Sequence, residues 1–85
     1  MKTIKYVIND ELGIHARPAG LLVKLASGYQ SDITISKDGK DASAKRIMAL
    51  MGLGATKGTE ISVKVEGPDE EEAAKAVEEF LKGNL

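Results

Sequence analysis

Residues 3–28 read TIKYVINDELGIHARPAGLLVKLASG, and two periodicities meet in that stretch. From Thr3 to Ile8 apolar and polar side chains alternate, which places Ile4, Tyr6 and Ile8 on one face of a half-buried strand. A polar loop, Asn9 to Gly13, carries Leu12, and the pattern turns helical at Ala16. Ala19, Leu22, Val23 and Ala26 then recur at spacings that line one helical face, with Gly28 as a natural stop. Leu21 and Leu25 lie beside that stripe, so the face is either a wide core surface or in part a docking surface. Gly20, inside the same helix, costs roughly 1 kcal/mol relative to alanine: either the loss is tolerated or something packs closely there.

Working outward, Ile33 and Ile35 alternate with Thr34 and Ser36, and Asp38-Gly39 between two lysines is a tight-turn signal leading to a short strand through Ala42, hence a hairpin. Ile47, Met48, Leu50, Met51 and Leu53 crowd into a short helical segment ended by Gly52 and Gly54. Five large apolar residues in seven positions exceed what two helical turns hide, and methionines adapt well to partners. Glu60 to Glu66 alternates again, with Ile61, Val63 and Val65 inward. After Gly67-Pro68, Asp69 and Glu72 have the spacing of a capping box. The last helix carries Ala73, Ala76, Val77, Phe80 and Leu81 on its apolar face, Glu71 to Lys75 and Glu78 to Lys82 as pairs at i,i+4, and Gly83 as its stop. The acids at its start favour the helix dipole without further function. The order strand, helix, strand, strand, short helix, strand, helix implies an α+β layer, three helices on one face of a four-stranded antiparallel sheet.

At 85 residues the chain is expected to form a single domain, 1–85, with one modest core. Its 12 basic and 13 acidic residues leave a net charge of -1, so no overall basic field is available for nucleic acid. With no cysteine and one histidine, thiolate chemistry, disulfides and zinc-thiolate sites are excluded and a histidine-rich metal site is disfavoured. The N-terminus alternates instead of building a signal-peptide core, and no apolar run reaches membrane-spanning length. The expectation is a cytoplasmic, soluble monomer with no membrane insertion and no cofactor. Gly52 to Thr59 superficially suggests a phosphate loop, but Lys57 precedes Gly58 and the chain lacks a nucleotide fold, so turn glycines explain it better.

The chemistry concentrates in Gly13-Ile14-His15-Ala16-Arg17-Pro18-Ala19. A neutral imidazole is a good nucleophile near pH 7, a helix start offers unpaired N–H groups to an anion, and Arg17 adds a planar cation. Gly13 permits close approach, and Pro18 falls where no intrahelical N–H is needed. Small residues and a proline also begin ordinary helices, and a lone histidine serves equally as a plain cap. Local residues leave both readings open.

Taken with Asp41-Ala42-Ser43-Ala44-Lys45, the run Ile47-Met48-Ala49-Leu50-Met51-Gly52-Leu53-Gly54 and the acidic-start final helix, that motif closely resembles the HPr family over essentially the whole chain. These are the histidine-containing phosphocarriers of the bacterial phosphoenolpyruvate-dependent sugar phosphotransferase system. The resemblance implies an open-faced β-sandwich of order βαββαβα and a carrier that is not itself an enzyme. It implies that Enzyme I, charged by phosphoenolpyruvate, phosphorylates His15 on Nδ1 and that His15 passes the group to IIA components of sugar transporters. Arg17 matches the arginine that pairs with the phosphoryl oxygens, with Ala16 and the helix N-terminal amides completing the phosphate site. Gly20, Leu21, Lys24, Arg46, Ile47, Met48, Met51 and Gly54 match the partner surface, with Lys24, Lys45 and Arg46 supplying charge for acidic partners.

One departure stands out: Arg46 occupies the position of the regulatory serine of many Gram-positive relatives, so the hydroxyl acceptor is gone. Ser43 reads as a strand-end or cap residue. Two other readings remain open at this point, a nitrogen-related or regulatory phosphorelay carrier and a module that binds an anion without transferring it.

Overall fold

The alternating segments do pair, and their register shows why one face of the sheet is apolar. The computed structural model describes residues 1–85. Its elements are β1 (Lys2–Val7), α1 (Ala16–Ser27), β2 (Asp32–Lys37), β3 (Lys40–Ser43), α2 (Ile47–Gly52), β4 (Glu60–Glu66) and α3 (Glu70–Asn84). The strands form one antiparallel sheet in the order β1-β4-β2-β3. Ile4 lies opposite Val63, Tyr6 opposite Ile61, Ile33 opposite Val65 and Ile35 opposite both Val63 and Ala42. Because paired residues share a face, these side chains form one apolar layer, and the three helices cover it. Ile33, Ile35, Ile61, Val63 and Val65 are all at most 1% exposed, each contributing on the order of 1.5–3 kcal/mol. The other face carries Thr3, Lys5, Thr34, Ser36, Ser62 and Lys64 in mutual register and is open. The α+β arrangement with an uncovered sheet face is thus the one expected from the element order.

Leu22, Ala19 and Ala26 of α1, Leu50 of α2, and Ala73, Val77 and Leu81 of α3 complete the core. Val23, Leu25, Ala49 and Phe80 pack on it only partly buried, and Ala74 is buried where the sequence pattern had favoured Ala76. The β2–β3 turn is made by Asp38 and Gly39, with φ of 48° and 81°, the mirror-type turn that the right-handed twist of a hairpin favours.

Several boundaries differ from expectation for identifiable reasons. Ile8 follows β1 instead of ending it, because its N–H turns to Thr59 O. Gly28 ends α1 in a right-handed conformation, φ -80°, with its N–H on Leu25 O, so no left-handed cap is formed. Gly52 stays helical and Gly54, φ 67°, makes the turn. Lys37 Nζ closes that end by donating to Leu53 O and Gly54 O. Gly83 does not stop α3, which runs on to Asn84. The expected pairs of Glu71 with Lys75 and Glu78 with Lys82 are not formed, and Glu71 faces Lys2 of β1 at 3.6 Å instead.

The capping box at α3 is also replaced. Asp69 makes no cap bond. Its carboxylate accepts from Gln30 N and Ser31 N, both at 2.9 Å, and from the Ser31 hydroxyl, so it fastens the turn after α1 to the start of α3. Glu70 takes over the local role by accepting from Gly67 N.

Candidate functional site

Gly13 sets the geometry of the histidine loop. Its φ is +65°, and a Cβ there would lie 2.1 Å from Ala55 O, so only glycine lets this backbone approach the segment after α2. The loop is stitched on both sides: Asn9 and Asp10 donate to Leu85 O, Ile14 N–H to Ala55 O at 2.9 Å, and Gly58 N–H to Ile8 O at 2.8 Å. With Ile14 buried as an anchor, the chain emerges at His15 in a fixed place.

His15 is the residue before α1, extended at φ -113° and ψ -174°, and its carbonyl accepts the first intrahelical bond, from Ala19 N–H at 3.0 Å. Its side chain caps nothing and is about one-third exposed (35%). The amides of Ala16 and Arg17 precede that first bond, and Pro18 brings no N–H, so two donors point out of the helix unmatched. No acid lies in the first turn, and Arg17 is exposed. These donors, Arg17 and the helix dipole favour an anion at the mouth of α1. An open depression there is lined by Asp10, His15, Arg17, Pro18, Leu21, Gly83 and Asn84. No group of three or more acids, histidines or cysteines is placed to hold a metal.

Around the histidine the remaining residues fall on two touching helices. Leu21, Ile47, Met48 and Met51 are 46%, 38%, 75% and 38% exposed, as the excess of apolar residues in α2 required. The space where Gly20 would carry a Cβ is 3.7 Å from Ile47 Cδ1, an ordinary contact, so the α1–α2 crossing tolerates a small residue without demanding glycine. Lys24 and Arg46 are exposed, Arg46 as the residue leading into α2. Gly54 is exposed at the far end of α2. Lys45 departs from expectation: its Nζ donates to Tyr29 O at 3.0 Å, so its cation is engaged with the backbone instead of being offered outward. Ser43 ends β3 and its hydroxyl accepts from Lys45 N, the local role foreseen for it.

Asp10, Gly83 and Asn84, which line the depression, were not among the site residues expected from the sequence. Asp10 Oδ2 lies 3.8 Å from His15 Nε2, a neighbour brought in by the turn that Gly13 closes and without a periodic signal of its own. Leu12 is 70% exposed on the same loop; a single apolar residue in a polar stretch was the available sign.

The model for "PTS HPr component phosphorylation site" matches residues 2–83. Similar solved structures include HPr from Thermoanaerobacter tengcongensis, 43% identical, covering 96% of this chain and 92% of that one with a TM-score of 0.91. The phosphocarrier protein HPr of Bacillus anthracis is 38% identical over 94% and 95%, with a TM-score of 0.87. Crh, a catabolite-repression protein of Bacillus subtilis described as a domain-swapped, intertwined dimer, is 36% identical over 100% and 98%, with a TM-score of 0.79. The chain belongs to the HPr family of phosphocarriers of the phosphotransferase system. The family carries phosphoryl groups and is not enzymatic. No helix of this protein is long and apolar enough to cross a membrane.

Proposed function

We propose that this protein accepts a phosphoryl group from phosphoenolpyruvate-charged Enzyme I on His15 Nδ1 and passes it to IIA components of sugar transporters. It works in the cytoplasm with residues 1–85 as a single domain, monomeric and without a cofactor of its own. The observation that carries the reading is the uncapped start of α1, where a partly exposed imidazole stands beside two unmatched amides and Arg17. A carrier has to load and unload at comparable free energy, so it needs a site that steadies charge in the transferring group without trapping the product. A shallow site fits this demand: Ala16 N–H, Arg17 N–H and the guanidinium meet the equatorial oxygens, and the ring stays open to two successive partners. Those partners dock on Gly20, Leu21, Lys24, Arg46, Ile47, Met48, Met51 and Gly54, apolar in the middle and basic at the rim. Rim charge of this kind speeds encounter with an acidic partner more than it tightens the complex. Since Arg46 has no hydroxyl and the opposite charge to phosphoserine, control by phosphorylation at that position is absent.

The test incubates the protein with Enzyme I, Mg²⁺ and phosphoenolpyruvate and reads intact mass before and after brief acid treatment. One acid-labile phosphoryl adduct is expected, absent from His15→Ala. No adduct with an active, compatible Enzyme I overturns the reading.

A further inference from the structure

The two nitrogens of His15 have different surroundings. Neither makes a hydrogen bond within the protein, but Nε2 faces Asp10 Oδ2 at 3.8 Å. Asp10 is held in place from three directions. Its Oδ2 accepts from Leu12 N at 3.0 Å, its own N–H donates to Leu85 O at 2.8 Å, and its carbonyl accepts from Gly13 N–H at 3.1 Å. A carboxylate fixed in this way acts as a stationary charge beside one ring nitrogen.

We infer that Asp10 is a positioning residue for His15, selecting the tautomer that carries its proton on Nε2 and leaving Nδ1 as the lone pair that attacks phosphorus. The inference rests on the phosphocarrier reading above and deepens it. A neutral imidazole holds one N–H and one lone pair. With the proton on Nε2, the positive end of the N–H dipole faces the carboxylate; with the proton on Nδ1, a lone pair faces it instead. At 3.8 Å the contact is too long for a direct hydrogen bond, so the preference is electrostatic and amounts to roughly tenfold in tautomer ratio at an effective dielectric suited to a half-exposed pair.

The transfer step then needs no base. The Nδ1 lone pair forms the new N–P bond while the donor's bond to phosphorus breaks, its electron pair leaving with the donor. The proton stays on Nε2, and the positive charge that develops on the ring is spread toward the nitrogen that faces Asp10. On unloading, the N–P electron pair returns to Nδ1 and the ring is again neutral with its proton in place. Arg17 serves the phosphoryl oxygens and Asp10 the far side of the ring, so the two charges act on opposite ends of one step and do not need to meet.

A simpler role is that Asp10 only builds its turn through Leu12 N–H, and Asp10→Asn separates the two. The amide oxygen of asparagine still accepts from Leu12, while the charge beside Nε2 disappears. Imidazole ¹⁵N spectra of the whole protein are expected to show the Nε2–H form in roughly tenfold excess in the wild type and a ratio several-fold smaller in Asp10→Asn. Single-turnover phosphorylation by charged Enzyme I is expected to slow roughly 5- to 10-fold in the variant at unchanged half-saturating concentration, mostly because the charge developing on the ring loses the facing carboxylate, the change in tautomer population alone accounting for less than about twofold, with Asp10→Glu recovering part of the loss. An unchanged tautomer ratio or an unchanged rate in Asp10→Asn overturns the inference. The spectra need no partner, so they judge Asp10 even if the wild type accepts no phosphoryl group, an outcome that would sink the carrier reading instead.

Discussion

The starts of α1 and α3 are the same piece of physics used in opposite ways. Both expose backbone N–H groups and the positive end of a helix dipole, and both are preceded by a glycine in a backbone conformation that a side chain would strain, Gly13 at φ +65° and Gly67 at φ +155°. At α3 the protein places its own negative charge at that end without capping an amide: Glu70, Glu71 and Glu72 fill the first turn, Glu70 Oε1 takes Gly67 N–H just before the helix, and its Oε2 pairs with the Met1 ammonium at 2.7 Å. Neither start has a capping side chain, but α1 has no acid in its first turn either. The depression beside α3 is the larger, about 450 Å³ against about 360 Å³ at His15, yet its lining of carboxylates repels any further anion. Size does not mark the end proposed to carry the phosphoryl group; unspent positive potential does.

The largest effects should come from the two glycines, because they break both ends alike. An added Cβ at Gly67 would sit 2.6 Å from Ser31 Cα, and at Gly13 2.1 Å from Ala55 O, in each case against backbone. Gly67→Ala and Gly13→Ala are each expected to lose about 3–5 kcal/mol, read by urea unfolding. Loss below about 1 kcal/mol at either would mean that the close approach is not needed. Next in size, Arg17→Ala should separate the two starts. Phosphorylation by Enzyme I is expected to fall roughly 100-fold, the scale of losing one charge-stabilising donor. Stability should stay within about 0.5 kcal/mol, as for other exposed positions. The matching change at α3, Glu71→Gln, should leave transfer untouched.

How much of this contrast could be read in advance follows from what each residue depends on. The strands were legible because alternation is a property of adjacent residues, and Ile61, Val63 and Val65 are buried as their period requires. His15 and Arg17 were legible because a helix mouth is local. What was not legible depends on contacts across the chain. Asp69 has the spacing of a cap but bonds Gln30 and Ser31, 39 and 38 residues away. Lys45 reads as a free cation but is spent on Tyr29 O, 16 residues away. Asp10 is the intermediate case, only five positions from His15, invisible because the turn that brings it back has no period.

The next effect tests the filled start through pH. The Asp69 carboxyl is held below the ordinary aspartate range, first by the Ser31 hydroxyl and then by Gln30 N–H. Glu70 is lowered in the same sense, mainly by the Met1 ammonium and then by Gly67 N–H. A lowered folded value gives stability that is fully present above the unfolded value, about 3.9 for aspartate, and is lost as pH falls through the folded value. Asp69→Asn is therefore expected to melt below the wild type at pH 7, with the gap narrowing as pH falls below the unfolded value and through the lowered folded one. Equal gaps at pH 7 and pH 2.5 would show that the Asp69 charge contributes nothing to fastening α3 to the turn after α1.

The smallest expected effect is the one in which the open start comes to resemble the filled one. A phosphoryl group on His15 puts a dianion where Ala16 N–H, Arg17 N–H and the guanidinium have no partner of their own, doing for α1 what the glutamates do for α3. Charge at a helix start is worth about 0.3–1 kcal/mol, which in a domain of this size raises Tm by roughly 2–6 °C. Asp10, at 3.8 Å from the ring, works against the dianion and pulls the expectation toward the lower figure. The sign still favours stabilisation, because two amides and an arginine outnumber one half-exposed carboxylate. Protection of the Ala16 and Arg17 amides in hydrogen exchange should rise on phosphorylation, together with Tm under conditions where Enzyme I keeps the adduct regenerated. An unchanged or lowered Tm would mean that the site spends its positive potential on the transition state and holds nothing back for the product.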